Sequence, residues 1–432
     1  MRALLVNPWI YDFKAFDFWN KPVGLLIVAD ILKKLHFDID FIDCMDRASP
    51  CFTTHTKTDM FGRGKYYFEE IKKPSVFKKI PRRYKRYGMP RSLFVKIIDE
   101  IDRPDIIFVT SSMTYWYLGV FETISILKKK FPDTKIILGG VYATLCKKHA
   151  DKYSGADIIF TGAAEGNLVA LLNDIGIVSS HIDNRTLTPD YTLYQTLYYG
   201  VIHTSRGCPF NCTYCATRFL CPKFETVPHD VIIEQLEYVS GKTENIAFFD
   251  DALLYNKNFT PLLETMREKQ YYFNLHASNG LHCRYIDEKI AQLMFRANFK
   301  TLYLSLETIN PEVQKKTGNK VNTEEFINAV NILIKTGFSP DAIHTYLLFG
   351  MPGQGYDEII EAIKLCHSLG VHPHLCEFSP IPHTKEFEKT GFTENTDPLY
   401  HNNLFYTWYW PEPKTDLYKK IKSLLTKTNL TT

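Results

Sequence analysis

No stretch of the 432 residues approaches the roughly 18 uninterrupted apolar positions of a membrane helix, so a spanning segment is not expected. The opening residues, MRALLVNPWI, also lack the apolar core and small-residue cleavage site of a secretory leader, which predicts a cytoplasmic protein. Excess charge is missing too. The 51 basic and 48 acidic residues leave +3, which excludes a supercharged surface and confines any electrostatic role to local patches. Cysteine is scarce, with 10 in the chain, far below the density of a disulfide-stapled scaffold. Three of these cysteines fall within eight positions, and in a reducing compartment that spacing points to metal.

The apolar content, 45%, suffices for two cores. Residues 1–175 alternate short β-rich runs with helical patterns: ALLV at 3–6, DIDFI at 38–42, DIIFVTS at 105–111, KIILGG at 135–140 and DIIFTG at 157–162. That alternation predicts an α/β fold with a doubly wound parallel sheet. An insertion at about 46–92, rich in aromatics and cations, is too long for an ordinary connection and reads as a lid or an interaction arm. Residues 176–198, with Pro189 and few periodic runs, read as a linker.

A second α/β domain is expected over 199–392. Its strand candidates are 198–205, 245–251, 273–278, 300–307, 342–350 and 374–379, and six β/α repeats make an open partial barrel. Asn322, Glu325 and Gly337 supply start and stop signals for a helix from Thr323 to about Thr336. The tail, 393–432, carries LFYTWYW at 404–410 and is expected to be an aromatic strap on the barrel.

Cys208-Pro-Phe-Asn-Cys212-Thr-Tyr-Cys215 follows the first of these strands in a loop opened by Gly207. Three thiolates so spaced can converge on three corners of a cubane, whereas a closed zinc site needs a fourth ligand. Cys221 could supply it in a zinc knuckle, or the three could be unrelated buried thiols.

A CxxxCxxC loop after the first strand of a β/α barrel, with an aromatic just before the last Cys, resembles the radical S-adenosylmethionine (SAM) superfamily. The resemblance implies a four-iron, four-sulfur cluster on Cys208, Cys212 and Cys215. Its open iron chelates SAM, and one-electron reduction cleaves SAM to a 5′-deoxyadenosyl radical. Further matches span nearly all of 200–392. Phe249, Asp250 and Asp251 end the second strand where the family meets the SAM amino group. Glu307 resembles the ribose-contacting acid, and Tyr214 sits where adenine is approached. Gly350 to Gly353 and Ser379 to Pro382 resemble loops that shape the SAM pocket. All lie at carboxyl ends of strands, where barrels build their sites. Taken singly, Asp250 could be a helix cap, Glu307 a surface acid and the glycines turn residues.

A doubly wound domain before such a barrel resembles the cobalamin-binding radical SAM subfamily. On that likeness Ser111, Ser112, Gly139, Gly140, Thr144, Gly162 and Glu165, in loops after strands, become the cobalamin candidates. No His has Asp two positions before it, so the Asp-x-His-x-x-Gly motif that supplies a lower axial His is absent. A sheet that kept its shape without the cofactor is the plain alternative. The methylthiotransferase branch suggests another: a second cluster, for which Cys44, Cys51 and Cys146 are the only candidates.

From Ile71 to Ile98 there is no acid, while Lys72, Lys73, Lys78, Lys79, Arg82, Arg83, Lys85, Arg86 and Arg91 lie beside Tyr84 and Tyr87. Such a stretch could hold phosphates and stack bases. A solvated or lid-forming arm is the favoured reading, since no RNA-binding module is recognisable. His276, His344, His372 and His374 could face the barrel mouth as proton donors, although a satisfied core His is the commoner case.

The expected activity is radical SAM chemistry with cobalamin-dependent methyl transfer to an unactivated carbon of a small molecule, lipid or peptide. Its partner would be a reducing protein such as flavodoxin or ferredoxin. The rivals are a cobalamin-independent isomerase, cyclase or RNA-modifying enzyme, and a non-catalytic metal- or cobalamin-binding sensor.

Overall fold

Runs of Ile, Leu, Val and Phe that are buried along their whole length favour parallel strands covered by helices on both faces, and two such sheets organise the chain. The computed structural model describes residues 1–52, 56–177, 182 and 187–426. It divides into one unit of 1–201, 230–243 and 394–399 and another of 202–229, 244–393 and 400–432. The linker expected at 176–198 lies partly outside the described residues. None of the described helices is long and apolar enough to cross a membrane.

The first unit holds strands β1 (Arg2–Asn7), β2 (Asp38–Asp43), β3 (Ile106–Val109), β4 (Lys135–Leu138) and β5 (Ile158–Ile159). All pairings are parallel, in the order β5-β4-β3-β1-β2. This is the doubly wound order whose direction reverses between β1 and β3.

Part of the insertion is folded into a small sheet. Lys85–Tyr87 pairs with Ile10–Asp12 on one side and Phe68–Glu70 on the other in a three-stranded antiparallel sheet. Tyr84 and Tyr87 are buried in it, with hydroxyls donating to the carbonyls of Tyr11 (3.0 Å) and Phe13 (3.1 Å). Their rings are therefore closed to base stacking, which removes that support for a nucleic-acid surface. Arg86 is likewise committed to Glu69 and Glu122. The absence of acids within 71–98 hid these pairings because both carboxylates lie outside that window.

The second unit is built on β7 (Asn245–Phe248), β8 (Asn274–His282), β9 (Phe299–Glu307), β10 (Ile343–Phe349) and β11 (His372–Glu377), with β6 (Gly200–Ile202), where the chain passes from the first unit, at the sheet edge. Each strand lies beside its sequence neighbour in one six-stranded sheet, a partial barrel. The helix Thr323–Thr336 has the expected capping box of Asn322 and Glu325 and ends on Gly337 at φ 115°. In the aromatic tail Asn402 caps a helix over Asn403–Tyr409, in which Trp408 is buried and donates to Glu377 at 2.8 Å.

Candidate active site

The cysteine loop is held by its backbone. Gly207 has φ 72°, and a Cβ there would lie 2.3 Å from the carbonyl oxygen of Lys223, so only glycine lets the chain turn after β6. Beyond it, the Thr213 N–H donates to Thr317 O (3.1 Å) and its hydroxyl to the buried Glu386 (2.7 Å). Cys215 closes back on Cys212 through a 3.1 Å backbone bond. The loop is therefore fixed to the segments after β9 and β11 before any metal arrives.

Cys208, Cys212 and Cys215 all line one cavity of about 380 Å³, together with Tyr214 and Asp251, whereas Cys221 does not line it. No three His, Cys, Asp or Glu among the described residues gather as ligands of one metal ion. Three thiols spread around a cavity of this size suit a cluster, whose irons are bound one per thiolate. Burial pushes the Cys208 thiol up to about 11 and raises Cys212, a cost that iron offsets by binding thiolate.

The acids sort themselves by position. Asp251 lines the cavity and accepts from Thr217 at 3.3 Å; burial raises its pKa. Asp250 points elsewhere, contrary to expectation. Its buried carboxylate accepts from the Thr204 N–H (3.0 Å), the Thr204 hydroxyl (2.7 Å) and the Ser205 hydroxyl (2.6 Å), bracing the chain after β6. Phe249, Gly350 and Ser379 also stay out of the cavity lining. Phe249 presents its carbonyl to Asn279, Gly350 packs against Thr407, and Ser379 donates to His401 O.

Glu307 ends β9 in the left-handed region at φ 64°, a conformation that costs a non-glycine residue about 1–3 kcal/mol. Its partner is Lys320, which sequence reasoning missed: Nζ lies 3.2 Å from Glu307 and 2.7 Å from Ser305 Oγ, and Lys320 lines the cavity. Burial alone would lower the Lys320 pKa, but Glu307 and the Cys212 sulfur carry it above its ordinary value. The site thus holds a buried cation within reach of the Cys212 and Cys215 sulfurs. Ser278, Asn279 and Gly280, at the irregular end of β8, and Tyr346 complete the wall.

The four histidines expected near the mouth do not line the cavity. His276 is buried against Thr301 (3.0 Å), His344 bonds His374 (2.9 Å), and His372 meets Asp341 (3.1 Å).

In the first unit the loop residues after β3, β4 and β5 form a bonded set. Ser111 Oγ donates to Gly139 O (2.6 Å), Thr144 Oγ1 to Gly140 O (2.8 Å), and the Gly162 N–H to Thr144 Oγ1 (3.1 Å). Gly140 is glycine for an internal reason, since a Cβ would lie 2.2 Å from Ser111 O. Gly162 borders open space, Ser112 is exposed, and Glu165 lies in the first turn of helix Ala164–Asp174. Cys44, Cys51 and Cys146 are not gathered: Cys44 follows β2 and Cys146 follows β4, three places apart in the sheet.

Comparison with known proteins agrees with the barrel geometry: residues 202–366 match the model of the radical SAM superfamily. The barrel is a radical SAM domain. An uncharacterized methyltransferase of Pyrococcus horikoshii is 26% identical over 354 residues, covering 73% of each chain. The ribosomal protein uS12 methylthiotransferase RimO of Carboxydothermus hydrogenoformans is 25% identical over 279 residues, 60% of this chain and 63% of that one. A solved structure of the cobalamin-dependent SAM radical enzyme OxsB has the same fold over 90% of this chain, with a TM-score of 0.58 and 13% identity. This chain spans 55% of the length of OxsB.

Two predictions test the site. Alanine at Cys208, Cys212 or Cys215 should abolish iron uptake, with Cys221→Ala retaining wild-type iron. Equal loss in the Cys221 variant would restore the four-thiol zinc reading. Glu307→Ala removes a charged acceptor worth about 1.5–3 kcal/mol, so SAM should bind about ten- to a hundredfold more weakly to protein with full iron content. Calorimetric SAM titration giving wild-type affinity would refute that role.

Proposed function

We propose that this chain cleaves SAM reductively and couples the radical to cobalamin-dependent methylation of an unactivated carbon in a small molecule, lipid or peptide. The observation that carries the proposal is the single cavity shared by three cysteines, Asp251 and Lys320, in a chain that also contains a 2-1-3-4-5 doubly wound sheet. The Pyrococcus horikoshii methyltransferase and OxsB support the methyl-transfer and cobalamin parts.

When bound, the cluster supplies the electron that splits SAM. The residues around it bind and orient. Lys320 offers a buried ammonium to a carboxylate, Asp251 an acceptor to an amino group, and Glu307 an acceptor to hydroxyls. Tyr214, packed on Leu348, Met351 and Phe378, offers an apolar face to a base. The open iron follows from the donor set, because Cys221 stays outside the cavity.

Cobalamin, when bound, supplies the methyl group. The crevice where the sheet order reverses is nearly filled, with about 20 Å³ left among Asn7, Trp9, Met45, Ser112 and Trp116. Ser112 after β3 and Gly162 after β5 are exposed, and Gly162 borders open space, so on this reading the cofactor rests on a backbone-lined shelf at Ser112, Gly139 and Gly162. Axial ligation through an Asp-x-His-x-x-Gly motif plays no part.

Anaerobic reconstitution with hydroxocobalamin should load cobalt, and Ser112→Trp should reduce the loading several-fold with iron unchanged. Gly140 is unsuitable for this test, because any side chain there strikes Ser111 first. Turnover should yield both 5′-deoxyadenosine and S-adenosylhomocysteine. Protein that stays cobalt-free yet cleaves SAM would defeat the cobalamin reading and favour a cobalamin-independent isomerase, cyclase or RNA-modifying enzyme.

A further inference from the structure

His282 is the last residue of β8 and 1% exposed, and neither ring nitrogen has a hydrogen-bond partner. An imidazole always carries at least one N–H, so an orphaned donor is buried here, a costly arrangement unless something meets it. The ring lines the same cavity as the three cysteines. It also stacks on Phe210, which lies between Cys208 and Cys212, with centroids 4.5 Å apart and planes 26° from parallel. The groups suited to SAM, namely Asp251, Tyr214, Glu307 and Lys320, are separate residues, and His282 is the cavity residue stacked on the cluster loop itself.

We propose that His282 donates an N–H hydrogen bond to a sulfur of the cluster and thereby sets the cluster's reduction potential. The inference rests on the cluster assignment. Burial, reinforced by Lys320 and Arg284, pushes its pKa down to about 2, so the ring is a neutral donor and adds no charge of its own. Reduction adds one electron to the cluster from an external low-potential donor. No bond breaks and no proton moves, and the hydrogen bond strengthens as negative charge builds on sulfur. Donors to cluster sulfurs therefore raise the potential. His282 is a positioning residue in this scheme, acting through the metal centre.

The test is a dithionite-mediated redox titration of the reconstituted protein without SAM, followed by electron paramagnetic resonance. His282→Phe keeps the ring stack and removes the donor. At fixed potential its ratio of reduced to oxidised cluster should fall about tenfold, a shift of about 59 mV to more negative potential. His282→Gln restores an N–H and should recover most of that loss. An unmoved potential in an iron-loaded Phe variant, or a Gln variant shifted as far as Phe, would overturn the proposal. Should the Phe variant fail to load iron, wild-type protein labelled with nitrogen-15 histidine decides. Its reduced cluster must show a histidine nitrogen coupling that disappears in His282→Gln, and a cluster lacking that coupling overturns the proposal. Wild-type protein that takes up no iron at all would fail at the earlier step, the cluster assignment.

Discussion

The site depends on one constraint: three thiols must surround a cubane while a fourth stays away. The bonds that meet it reach well beyond the cysteines. Thr213 ties the loop to Thr317 and Glu386, and three residues after Thr317 the chain delivers Lys320 to Glu307. The segment that braces the cluster loop thus also carries the cation into the cavity. Asp250 performs the matching task on the other side, pinning Thr204 and Ser205 just before Gly207. Much of the polar chemistry of the strand ends holds one loop still, with fewer groups left to meet a ligand.

That division explains what could be read from sequence. Most strands were legible from short apolar runs such as those of β1, β3 and β4, and the cysteines because their spacing has few other uses. Asp250 and Asp251 were indistinguishable: adjacent residues leaving a strand diverge, and only the hydroxyls of Thr204 and Ser205 determine which one is internal. Lys320 and His282 were not legible at all. Lys320 arrives from a loop with no periodicity, and His282 sits at the end of a strand whose pairing slips between Ala277 and Leu281, so alternation counted from Asn274 loses its phase.

The first unit gives the opposite lesson. Its basic stretch left a phosphate-binding surface as the less favoured reading, and Tyr84 and Tyr87 are core residues while Arg86 is neutralised by acids distant in sequence. Gly140 suggested room for a ligand, whereas it is required by Ser111. Composition over a short window reports local charge and local flexibility. Which partner uses them is decided by segments that the window does not include.

The account turns on an iron left free by the protein. Mössbauer spectroscopy of protein reconstituted with iron-57 tests this most directly. About one quarter of the iron signal should change when SAM is added, the rest staying as it was, because three of the four irons keep their thiolates. A spectrum in which SAM changes none of the iron would contradict the account.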